Sequence, residues 1–389
     1  MNKWIMLIDP ASIAILLCPI LVICYGSYRS YKFNLEHHLM IIDNNDVPSS
    51  YLLIFPLLGS ISLILFFYYL DNMYSFLIFI VFITSIFSVT FVLYPIVQYF
   101  LPKFKIHDTS KRVKILDEDV TITLSVLVAF CLSAALTLFW YYSNHYMFVN
   151  ILSVCSGITA LSFMRLNNLK GLTFLLWIFL IYDVFWVFYS SFFFGESVME
   201  KVAIRVLDKF YLPMLITFPK FFGNGFSSLG NGDFVLPGIF MCQLYFLDKY
   251  YNFDTSGNSS EYQSLPQTIR SSANGNSLNN NNNNFNNKIK VWFKNLGYFK
   301  ISIIGYASGL IISLFVVLIT ESGQPALLYL VPTVTLPVLI TAIKRGQLSI
   351  IFKSIPKPKQ ENDINDHNHG FNKINNNSVD NNNINVNYD

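Results

Sequence analysis

Two stretches decide the fold: GLTFLLWIFLIYDVFWVFYSSFFF (residues 171–194) and GFSSLGNGDFVLPGIFMCQLYFL (residues 225–247). Each is apolar enough, and long enough, to cross a bilayer, which takes about 20 mostly apolar residues. Each also carries one acid in its interior, Asp183 in the first and Asp233 in the second. A carboxylate at membrane depth costs about 2.5–3.5 kcal/mol on insertion scales, so such a residue marks a functional site by default. Two in neighbouring segments suggest a pair, and two carboxylates sharing one proton are the machinery of an aspartic protease.

Outward from these stretches the chain reads as an all-α polytopic membrane protein. Apolar residues make up 53% and charged residues only 13%, which excludes a nucleic-acid-binding surface as the main feature. The hydropathy pattern predicts nine transmembrane helices, at residues 5–26, 52–70, 74–101, 121–141, 147–164, 171–194, 225–247, 299–320 and 325–343. The fifth is the weakest, being short and carrying Asn150 and Ser153. A tight hairpin at Asp71-Asn72 must join the second and third. YLPMLITFPKFF (residues 211–222) is too short to span and reads as an interfacial or re-entrant piece. Asp9 and Pro10 interrupt the first apolar run, and no clear cleavage site follows, so residues 5–26 are expected to be a retained span with no large extracellular domain before it.

The basic residues set the orientation. With nine spans and a lumenal N-terminus, the cytosolic loops and tail hold 21 of the 26 Lys and Arg. The organisation is then a lumenal N-terminus (1–4), a membrane domain of seven spans (5–247), a cytosolic insert (248–298), two further spans (299–343) and a cytosolic tail (344–389). The insert and the tail are rich in Asn and Ser and read as disordered. The five cysteines fall in spans, where packing is the plain reading, and none of the six histidines is spaced with them as a zinc site.

The surroundings of the acids suit a reactive site. Gly230 lies three residues before Asp233, on the same helical face, where a missing side chain lets another backbone approach. Pro237 lies four after it, and its missing N–H leaves the Asp233 carbonyl without its helical partner. Gln324-Pro325-Ala326-Leu327 opens the last span, and irregular backbone at that depth is tolerated only where it lines a cavity or is buried in protein. Its free N–H and C=O groups suit an extended peptide bound as an added strand.

The Tyr182-Asp183 pair, the Gly230-Asn231-Gly232-Asp233 run and QPALLYLVP (residues 324–332), in this order, resemble the intramembrane aspartyl proteases, presenilin and the signal peptide peptidases. The last motif and the orientation are of the peptidase form. VICYGSYRS (residues 22–30) and LIYDVFWVFYSSFFFGESVMEKVA (residues 180–203) look most like the compact third subgroup of signal peptide peptidase-like proteins. The resemblance covers about residues 10–350. It implies a catalytic dyad of Asp183 and Asp233, shaping of the site by Tyr182, Gly230 and Gly232, and a substrate cleft lined by Gln324, Pro325, Ala326 and Leu327. It implies no metal or other cofactor. The expected partners are type II single-span membrane proteins and membrane lipid, with no nucleic acid and with homo-oligomerisation left open. The compartment implied is the endomembrane system, Golgi ahead of endoplasmic reticulum. Asn231 departs from the pattern, where Leu or Ile is expected. Two other classes fit intramembrane acids: a proton-coupled transporter, and a non-proteolytic scaffold that binds membrane helices.

Overall fold

The computed structural model describes residues 9–36, 53–104, 110–115, 118–163, 168–209, 212–222, 225–251, 296–320 and 324–352. The N-terminal segment 1–4 and most of the Asn-rich insert and tail lie outside the described residues.

The first helix, α1 (Pro10–Glu36), begins later than the expected span. Asp9 is its cap: its Oδ1 accepts the Ala11 N–H at 2.9 Å, and its carbonyl accepts those of Ser12 and Ile13. Proline at the first helical position loses no hydrogen bond there. The acid that breaks the apolar run is thus what starts the helix.

The second helix, α2 (Ile54–Phe100), is 47 residues long. At 1.5 Å per residue that is roughly 70 Å, more than twice a ~30 Å hydrocarbon core. It is broken at Tyr69 (φ −119°, ψ 16°), not at Asp71-Asn72, and by a kink with no loop. Its first arm packs Leu63, Ile64 and Phe67 around Trp186 and Val198, whereas its second packs Val81 and Val89 around Trp140 and Leu152.

An antiparallel hairpin of β1 (Ser110–Ile115) and β2 (Glu118–Thr123) follows, where the sequence reading had only a loop. Then come α3 (Leu124–Ser143), α4 (Tyr146–Phe163) and α5 (Leu169–Val184). The side chain of Asn168 caps α5 by accepting the N–H groups of Lys170 and Gly171. A π-helical turn at Phe185–Tyr189 leads into α6 (Ser190–Phe194) and the surface helix α7 (Val198–Lys209). A second antiparallel hairpin, β3 (Leu215–Pro219) with β4 (Phe226–Gly230), runs directly into α8 (Asn231–Tyr251). The chain closes with α9 (Tyr298–Thr320), α10 (Leu327–Lys344) and the short α11 (Leu348–Ile351).

Among the described residues seven helices are long and apolar enough to cross a membrane: Pro10–Asn34, Ile54–Lys103, Leu124–Ser143, Tyr146–Phe163, Leu169–Phe194, Tyr298–Thr320 and Leu327–Lys344. Helix α8 is not among them. The reason is its position: α1, α4, α5, α9 and α10 all pack against it. Phe234, Phe240, Met241 and Leu244 are wholly buried, and its polar residues Gln243 and Asp248 are nearly so. A helix wrapped by protein has no need of a lipid-compatible surface all round. Close approach is secured at Gly157 of α4, where an added Cβ would sit 2.6 Å from the ring of Phe234.

Candidate active site

Asp183 is the penultimate residue of α5, two residues before the π-helical segment. Such segments are frequent at functional sites because they shift the side chains that follow off the α-helical register. Asp183 is buried, at 5% exposure. Its Oδ2 accepts the backbone N–H of Leu327 at 3.3 Å. That N–H is free because Leu327 is the first residue of α10, where a helix leaves its leading donors without partners. Pro325 and Ala326 ahead of it correct the irregular, non-helical entry expected from the sequence: Ala326 already has right-handed helical angles (φ −65°, ψ −34°), so the segment is a plain helix start with proline ahead of its first turn. The Pro325 carbonyl accepts from Leu328, and the Ala326 carbonyl from Tyr329 and Leu330.

Asp233 arrives from a different direction. The helical face that the sequence suggested for Gly230 is corrected by the structure: Gly230 ends β4 and α8 starts at Asn231. Asp233 is therefore in the first turn, not mid-helix, and its carboxylate folds back to accept the Gly230 N–H. This is the carboxylate half of a capping box, and it places a negative charge at the positive end of the helix. A Cβ on Gly230 would lie 3.2 Å from Asp233 Oδ2, so any side chain there would press the carboxylate a few tenths of an ångström from its place. Gly232 is exposed, and nothing of the chain lies within 4 Å of where its Cβ would be. Helices α5, α8 and α10 pack on one another, which brings Asp183 into contact with Leu327 and the Asp233 carboxylate within electrostatic reach of Asp183.

Two of the sequence-predicted residues stand back from that place. The Tyr182 ring packs between those of Phe179 and Trp186, and its hydroxyl lies against Gly59 of α2. Gln324 donates from Nε2 to Thr320 Oγ1 at 3.3 Å.

What holds Asp233 was not visible from the motifs. β3 is bound to α4 by side chains. Asn150 both donates to the Thr217 carbonyl (2.7 Å) and accepts the Thr217 N–H (2.8 Å), and Ser153 Oγ donates to the Leu215 carbonyl (2.7 Å). Asn231 continues the ladder: its Nδ2 donates to Ser156 Oγ at 2.9 Å, and its own N–H to the Met214 carbonyl at 2.9 Å. The polar residues that made the fifth span look doubtful are what anchor the hairpin feeding the second aspartate. At the hairpin's other end, the Asp9 carboxylate accepts the N–H groups of Phe221 and Phe222 at 3.0 and 2.9 Å. Burial raises the Asp9 carboxyl, but the N–H donors of Phe222, Ala11 and Phe221 and the charge of Lys220 outweigh it and hold it below its ordinary value.

Among the described residues no group of three or more His, Cys, Asp or Glu could hold a metal ion. What the arrangement can do chemically is hold water or a carbonyl between two carboxylates beside the first turn of α10.

Comparison with known proteins points the same way. Residues 43–357 match the family model described as signal peptide peptidase. Signal peptide peptidase-like 1 of rice (Oryza sativa subsp. japonica) is 26% identical over 378 residues, covering 88% of this chain and 92% of its own length. Signal peptide peptidase-like 3 of Arabidopsis thaliana is 34% identical over 62% of this chain and 39% of its own length. Intramembrane protease 2 of Caenorhabditis elegans is 32% identical over 54% of this chain and 38% of its own length. No solved structure matches.

Proposed function

The chain belongs to the signal peptide peptidase family, and on that premise we propose that this integral membrane protein is an aspartic endopeptidase that cuts peptide bonds within or near transmembrane segments. The observation that carries the reading is the convergence of Asp183, Asp233 and the Leu327 N–H on one place from three helices. Two carboxylates in a poorly solvated site resist double ionisation and keep one proton between them. The ionised member takes a proton from a bound water, the protonated member polarises the scissile carbonyl, and the gem-diol so formed collapses to two peptides. The proton belongs to the pair, so neither role is given to a single residue. The Leu327 N–H keeps the Asp183 carboxylate oriented, and the Gln324-Pro325-Ala326-Leu327 segment lines the cleft that receives the substrate.

The topology that goes with this reading has nine spans. The two arms of α2 cross separately, and α8 crosses inside the bundle. The N-terminus is lumenal and the C-terminus cytosolic, in accord with the basic residues. Substrates are type II single-span proteins, and the compartment is the endomembrane system, Golgi ahead of endoplasmic reticulum.

The test is cleavage of a tagged type II reporter in membranes carrying wild type, Asp183→Ala or Asp233→Ala at equal expression. Loss of a general acid or base costs about 10²- to 10⁴-fold, so both variants are expected to be silent. Cleavage by either at the wild-type rate overturns the dyad. No cleavage by wild type transfers the question to ion flux.

A further inference from the structure

Tyr306 of α9 belongs to none of the three motifs. It is wholly buried, at 0% exposure, and its hydroxyl has no hydrogen-bond partner among the described residues. A buried hydroxyl left unpaired costs about 1–3 kcal/mol, so an orphan of this kind requires an explanation. Phenylalanine would fill the same volume without that cost. Helix α9 packs against both α8, which carries Asp233, and α10, which carries Leu327. Tyr306 lies in one apolar cluster with Phe234, Leu327 and Leu330, the residues immediately around the site. The titratable groups that act on its hydroxyl are the Asp233 carboxylate, from α8, and the Cys18 thiol, from α1.

We infer that Tyr306 is a positioning residue of the active site, its hydroxyl donating a hydrogen bond to the Asp233 carboxylate when water and substrate occupy the cleft. The inference rests on the protease reading above. Its physical content is that, among the described residues, Asp233 receives one donor, the Gly230 N–H, while a carboxylate has lone pairs for about four. A second donor from the opposite side would fix the plane of the carboxylate against the water it activates. It would also supply the hydroxyl with the acceptor it lacks.

The test is Tyr306→Phe in the full-length enzyme, with Cys18→Ala and Asp183→Asn alongside, measuring kcat, KM and thermal unfolding. A hydrogen bond to a charged group is worth about 1.5–3 kcal/mol, so kcat should fall about tenfold to a hundredfold. KM should not change, Tm should hold or rise because the unpaired hydroxyl is gone, and affinity for a hydroxyethylene transition-state analogue should fall in parallel with kcat. Cys18→Ala should behave as wild type. Wild-type kcat in Tyr306→Phe overturns the inference, as does a joint loss of Tm, KM and kcat, which marks a packing role. So does a Cys18→Ala variant that mimics Tyr306→Phe, because the hydroxyl then pairs with the thiol. Should Tyr306→Phe fail to accumulate, 3-fluorotyrosine at position 306 keeps the ring and hydroxyl and alters only donor strength; kcat must then change at constant KM, and an unchanged kcat overturns the inference. An Asp183→Asn variant that cuts like wild type, or a wild type that does not cut, instead sinks the protease reading and the inference with it.

Discussion

Asn231 is the residue at which this chain leaves the family pattern, and the structure gives the departure a physical reason. Leucine there could only pack. Asparagine donates to Ser156 Oγ and so ties the first turn of α8 to α4, two residues before Asp233. Asn231→Ala is expected to destabilise the protein by about 1 kcal/mol, the net worth of one part-buried hydrogen bond, read as a lower midpoint of thermal unfolding. Asn231→Leu should behave similarly. Restoration of full stability by leucine would mean that the amide is incidental. The residue scale also shows which signals were legible early. Asp183, Asp233 and Pro325 stand out because an acid or a proline in apolar sequence is anomalous by itself. Tyr306 does not, because a tyrosine in an aromatic-rich span is ordinary until its hydroxyl is seen to have no partner.

At the scale of elements, two devices set the position of the site. One is the close contact of α9 and α10, where an added Cβ on Gly305 would overlap the Thr333 carbonyl, a backbone atom that cannot swing aside. Gly305→Ala should therefore cost about 1–3 kcal/mol through overpacking. It should also lower activity, because α10 carries the N–H that orients Asp183; wild-type Tm and activity would refute the contact. The other device is the tether from Asp9 to the tip of the β3–β4 hairpin. The folded state holds the Asp9 carboxyl below its ordinary value. Its stabilising contribution is therefore complete above about pH 4, the unfolded value, and is lost as pH falls through the lower folded value. Asp9→Ala should lower Tm at pH 7 and make progressively less difference toward pH 2. A difference that persists or grows in acid would reject the tether as a charge effect.

At the scale of the whole molecule, the Asn-rich insert separates α8 from α9 by a long stretch of chain, yet their ends are joined directly. Asp248 of α8 accepts the N–H groups of Tyr298 and Phe299 at 2.9 and 2.7 Å. Arg345 donates to the Leu296 carbonyl, and the Tyr298 hydroxyl to Gln347 Oε1, so the end of α10 joins the same cluster. The first and last residues of the expected 248–298 insert thus belong to the folded bundle, and these bonds close it at this end. Replacing residues 256–290 with a short Gly-Ser linker should leave activity and Tm at wild-type levels, whereas Asp248→Ala should lower both. Loss of activity on deletion alone would assign the insert a role.

Hydropathy, basic-residue bias and the three short motifs are properties of contiguous sequence, and they add up segment by segment whatever the chain does elsewhere. They sufficed for the helical membrane architecture, the family and the candidate acids. The partners of polar side chains are not local. Asn150 and Thr217 are 67 residues apart, and Leu327 and Asp183 are 144 apart. Which donor meets which acceptor depended on how the helices pack, and so the hairpin before Asp233, the kink at Tyr69 and the orphan hydroxyl of Tyr306 emerged only with the tertiary structure. A buried polar group must find a partner or bear the cost of having none. That rule acts on neighbours in space, and space is what the linear chain does not specify until it has folded.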